Sequence, residues 1–81
     1  MSASGKELVW YSAFKTAMDF LHYGDLDTLE VYDIIRIMWV NSLICDSDAK
    51  FMLKDLLDYH ADFDLVPHPK ISAFFELLGD Y

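Results

Sequence analysis

Helix breakers are scarce in this chain, and each one stands where a helix would begin or end. Three glycines (Gly5, Gly24, Gly79) and two prolines (Pro67, Pro69) are all that 81 residues contain. Glycine and proline are the strongest interrupters of helical backbone, so this distribution predicts helices joined by short links. Period-2 apolar alternation, the mark of a half-buried strand, is confined to a brief stretch around Phe63 and Leu65. The chain therefore reads as all-α, a compact bundle of four short helices at about 5–23, 28–44, 48–60 and 69–78. Residues 1–81 form one domain on this reading. A hydrophobic content of 54% excludes a disordered tail, because disorder needs low hydrophobicity together with high charge.

Local signals support each helix. Ser4 with Glu7 three residues later has the form of a capping box, and Gly24 is suited to the left-handed position just past a helix end. Asp27 and Glu30 repeat the capping-box spacing for the second helix. Any of Asp46, Ser47 and Asp48 can cap the third, Pro69 fits the first position of the fourth, and Gly79 closes it. The segment Ala61–His68, ahead of and including Pro67, is the longest loop. At 100° per residue, Trp10, Phe14, Ala17 and Leu21 face inward on the first helix, opposite a stripe of Ser12, Lys15, Thr16, Asp19 and His22. Leu53, Leu56, Leu57 and His60 do the same on the third, and Ile71, Phe74 and Leu78 on the fourth.

The second helix is different. Its polar stripe is only Glu30, Asp33 and Asn41, with Arg36 at the edge and Ile37 inside it, so the helix is apolar around most of its circumference. Such a helix is either central in its bundle or covered by another chain. The alternative architecture is accordingly a homodimer, with this helix as its seam and Ile37 and Trp39 as self-association residues. Phe51 likewise projects from the polar face of the third helix.

Charge removes several function classes. Six Lys and Arg residues oppose fourteen Asp and Glu, a net charge of -8, whereas direct binding to nucleic acid or anionic lipid requires a basic footprint. The most apolar stretch, Ile34–Val40, contains Arg36 and falls far short of the approximately 20 residues that cross a bilayer. No membrane role is expected. Early apolar residues are interrupted by Glu7, Lys15 and Asp19, which does not suit a signal peptide. The one cysteine, Cys45, cannot form an internal disulfide, which fits a reducing, cytoplasmic location.

Candidate chemistry is thin. His60, Asp62, Asp64 and His68 have residue types that bind divalent cations, but their spacing matches neither an EF-hand loop nor a helical His-x-x-x-His pair, and His60 falls on an apolar helix face. Asp25 and Asp27 read as a turn and an N-cap rather than a calcium pair. Cys45 lacks a histidine at any recognisable catalytic spacing. No cofactor is expected, and the chain reads as a non-enzyme.

Charge distribution says more. Residues 1–24 are neutral, with Lys6 and Lys15 against Glu7 and Asp19, whereas 25–48 carry six acids against Arg36 alone, and six more acids follow against three lysines. Asp25, Asp27, Glu30, Asp33, Asp48, Asp55, Asp58, Asp62 and Asp64 are therefore taken as partner-binding residues, with Phe51 as an apolar contact beside them and Tyr32, Tyr59 and Phe63 as further aromatic anchors. The expected partner is a larger protein with a basic surface, one that handles nucleic acid. In composition and size the chain resembles the immunity proteins that neutralise bacterial nuclease toxins, and phage-encoded inhibitors of nucleic-acid-binding defence complexes, anti-CRISPR proteins among them. The resemblance is one of class, without a shared motif; Tyr59 stands alone where nuclease-colicin immunity proteins carry a tyrosine pair on their third helix. It implies an acidic inhibitor, mimicking nucleic-acid charge, that blocks a basic site.

Overall fold

The computed structural model describes residues 5–79, and every regular element among them is a helix: α1 (Gly5–Tyr23), α2 (Thr28–Val40), α3 (Asp46–Asp62) and α4 (Pro69–Leu77). The Ser4 capping box lies outside the described residues. At α2 the Asp27 carboxylate accepts from the Glu30 amide at 2.8 Å while the Glu30 carboxylate accepts from the Asp27 amide at 3.0 Å. Two of the four orphan amides of a helix start are thereby satisfied by side chains three residues apart. Pro69 occupies the first turn of α4 as expected, and His68 caps it, its Nδ1 accepting from the Lys70 amide at 3.1 Å.

Helix ends are where the chain departs from the expected boundaries. Gly24 takes a left-handed φ of +85°, and the Asp25 amide reaches back to the Phe20 carbonyl at 2.9 Å while the Gly24 amide bonds the Leu21 carbonyl at 3.1 Å. These paired bonds satisfy carbonyls that would otherwise be orphaned. The same closure recurs without glycine. Ser42 adopts φ +59°, its amide bonding the Trp39 carbonyl at 3.0 Å and the Leu43 amide bonding the Met38 carbonyl at 2.9 Å. So α2 stops at Val40, four residues before the expected Ile44. Asp64, at φ +55°, ends α3 in the same way through a 2.7 Å bond from the Leu65 amide to the His60 carbonyl. α3 thus runs to Asp62, two residues past the expected end. It also starts earlier than expected. Cys45 is its N-cap, without a side-chain capping bond, and Asp46 and Asp48 lie inside the first turn instead of capping it.

The inward faces of α1, α3 and α4 follow the expected stripes, except that Trp10 and Leu57 are only half-buried against the core. Phe14, Ala17, Met18 and Leu21 of α1, Val31, Tyr32, Ile35 and Met38 of α2, Ala49, Met52, Leu53 and Leu56 of α3, and Ile71, Phe74 and Leu78 at α4 form a single core. Each helix packs on the next in the chain, and Phe74 is met edge-on by Tyr32 and Trp39 of α2, with ring centroids 5.9 and 5.0 Å apart. Tyr32 is therefore a core ring and not a partner anchor. The radius of gyration, 12.2 Å, is close to the ~12 Å of a globule of this length.

Replacing Ser42 with glycine removes the steric cost of a left-handed side chain at an exposed helix end. Ser42→Gly is expected to raise stability by about 1 kcal/mol, a gain of about 4–8 °C in Tm by thermal unfolding, whereas Gly24→Ala lowers it.

Candidate functional site

α1 and α3 lie so that their polar stripes border one groove. Lys15, Asp19 and His22 come from α1, and Asp55, Asp58, Tyr59 and Asp62 from α3, around an open depression of about 200 Å³ with Met18 at its floor. The spacing follows from helix geometry. Residues three and four apart lie on one face, so Asp55, Asp58 and Asp62 form a ladder of carboxylates along about 10 Å of α3. Asp19 on α1 sits across from them, one turn after Lys15.

Aromatic rings close one end of the groove. The His22 and Tyr59 rings meet edge-on at 5.0 Å and His22 and Phe63 at 6.0 Å, while Tyr59 and Phe63 pack tilted by 42° at 4.7 Å. Phe63 stays 55% exposed. Phe51, 56% exposed as its place on the polar face predicts, lies outside this groove: it leans edge-on against Tyr11 at 6.0 Å and lines a separate depression with Ser47, Lys50, Lys54 and Phe75.

The other expected partner-binding residues are placed elsewhere. Asp25 is exposed in the α1–α2 link. Asp27 and Glu30 are engaged with each other's backbone in the capping box. Asp33 lies on the exposed side of α2 beside a shallow depression lined by Arg36, Ile37, Val40 and Asn41. Asp48 is half-buried in the first turn of α3, and Asp64 occupies the left-handed turn after it. Asp19, Lys15 and His22 were not among the expected partner residues. They belong to the polar stripe read on α1, but no pattern within α1 shows that this stripe faces α3.

The possible cation ligands do not form a site. His60 is 2% exposed, in the core. Its Nδ1 lies 2.8 Å from the Leu56 carbonyl, which can only accept, so Nδ1 carries the proton and donates. Its Nε2 is buried without a hydrogen-bond partner. His68 spends its own Nδ1 on the α4 cap, Asp62 turns to the groove, and Asp64 shapes the turn. Among the described residues no group of three or more His, Cys, Asp or Glu side chains could hold a metal ion. Cys45 is exposed, with Sγ 3.2 Å from the Ser47 hydroxyl.

The two residues expected to self-associate on α2 differ in exposure. Trp39 is half-buried against Phe74, and its Nε1 donates to Asp46 Oδ1 at 2.6 Å. It joins α2 to α3 and α4 within one chain, which leaves it only partly exposed on the face where self-association was expected. Ile37 remains exposed, and Val40 joins it, each at 59%.

No helix among the described residues is long and apolar enough to cross a membrane. Compared with protein-family models, curated proteins and solved structures, the chain shows no significant match to any of them.

Trp39→Phe keeps the ring on Phe74 and deletes the indole donor to Asp46. It is expected to cost about 1 kcal/mol in urea unfolding with no change in sedimentation behaviour; a change in oligomeric state would return Trp39 to an intermolecular role.

Proposed function

We propose that this protein is a non-enzymatic, acidic binding module that docks on the basic, nucleic-acid-binding surface of a larger protein and blocks it. The observation that carries this reading is the convergence of Asp19, Asp55, Asp58 and Asp62 from two helices on one groove bordered by aromatic rings. Carboxylates held by separate rigid helices need little ordering on binding, and they present the charge that a phosphate-binding surface selects. Charge of this kind speeds association and fixes orientation, while the rings beside it supply apolar area that can be fully desolvated. The remaining acids on α2 and in the links, Asp25 and Asp33 among them, add to the long-range field.

The test is capture of partners by tagged protein from a lysate of the source organism, at low salt and at about 0.5 M, where the Debye length falls to about 4 Å. The expected outcome is a basic nucleic-acid-handling protein, retained at low salt, released at high salt, and displaced by its own nucleic acid. The combined variant Asp55→Asn, Asp58→Asn, Asp62→Asn should weaken that complex by about tenfold or more, as loss of several close charge pairs does. A complex indifferent to both salt and these changes would sink the proposal.

Ile37 and Val40, adjacent on α2 and both exposed, favour a second reading, a homodimer paired through this ridge. Sedimentation of the protein at micromolar concentration should then show a dimer that Ile37→Glu converts to a folded monomer; a wild-type monomer removes the reading.

A further inference from the structure

The aromatic end of the groove has a chemistry of its own. His22 and Tyr59 belong both to the groove wall and to the ring cluster with Phe63, so platform and carboxylates form one continuous surface. The fold leaves Phe63 more than half exposed, and Leu65 and Val66 after it are exposed as well. An aromatic face is the negative side of the ring quadrupole, so it attracts cations, and here it adds to the field of Asp19, Asp58 and Asp62.

Not every cation profits equally. An ammonium is a compact, strongly hydrated charge that keeps its water beside a ring, whereas a guanidinium is flat, weakly hydrated and able to stack while its edge still offers forked N–H donors. Those donors match a carboxylate in a bidentate pair. Asp58, Tyr59 and Asp62 line the same groove, and Phe63, the C-cap of α3, packs on Tyr59, so rings and carboxylates border one another at the C-terminal end of α3.

Resting on the function proposed above, we infer that the partner docks through arginine, with a guanidinium stacked on the Tyr59–Phe63 platform and hydrogen-bonded to the neighbouring aspartates. A lysine-rich segment satisfies the charge of the groove but leaves the platform unused.

The experiment compares oligo-arginine and oligo-lysine peptides of equal length, titrated calorimetrically into the full chain at low ionic strength. Oligo-arginine is expected to bind about fivefold more tightly or better, the size of a cation–π contact at a partly exposed site. Phe63→Ala, which leaves net charge unchanged, should erase that preference by weakening oligo-arginine alone, and Phe63→Trp should restore it. Equal affinities, or an alanine variant that weakens both peptides alike, would overturn arginine recognition while leaving the acidic docking groove intact. Failure of both peptides to bind would overturn the groove itself as a basic-segment site.

Discussion

Burial of one stripe of α3, Ala49, Met52, Leu53, Leu56 and His60, is the constraint on which the other elements depend. α2 packs on one side of that helix and α4 on another, and neither is long enough to persist alone. α4 has 9 residues and α2 has 13, at or below the roughly 12–15 at which an isolated helix becomes even marginal in water. Their helicity comes from the apolar side chains they place against α3 and each other, Ile71, Phe74 and Leu78 from one and Val31, Ile35 and Met38 from the other. His60 shares this buried stripe with one nitrogen satisfied by its own helix, which is why a residue type associated with metal sites here serves packing.

Each helix ends on a residue in left-handed backbone: Gly24, Ser42, Asp64 and Gly79. The two glycines are visible in advance because they enter that region without a Cβ clash. Ser42 and Asp64 are not, since at these positions side-chain type argues only weakly for a left-handed turn, and local apolar periodicity argues against one. Leu43 and Ile44 continue the apolar pattern of α2, which is the reason the helix is expected to reach them. The chain instead turns at Asn41 and Ser42 and returns Ile44 to the core from outside any helix. A buried side chain and a helical side chain are different things, and periodicity does not separate them at an element's end.

The groove shows the same division. The Asp55, Asp58 and Asp62 ladder is legible because residues three and four apart share a helical face whatever surrounds them. The exposure of Ile37 and Phe51 is legible for the same reason. Asp27 and Glu30 illustrate the opposite case: their spacing identifies a capping box, and once their carboxylates are committed to backbone amides they have less to offer a partner. Trp39 is similar, since its apolar position on α2 is evident but its neighbours Phe74 and Asp46 belong to other parts of the chain.

Properties that repeat within a few residues were legible before any packing was known: four helices, most of the inward stripes of α1, α3 and α4, one complete capping box, and the proline start of the last helix. These depend on contacts between residues i and i+4 or closer, and so are written locally. Which faces became neighbours was set only by the packing of the helices on one another. That packing laid Lys15, Asp19 and His22 beside Asp55, Asp58 and Asp62, brought Phe63 onto Tyr59 and His22, and turned Trp39 inward. Those pairings join residues up to 47 positions apart in the chain, as Lys15 and Asp62 are, and they follow from how four apolar stripes of fixed width can close one core together, a condition that no single helix contains.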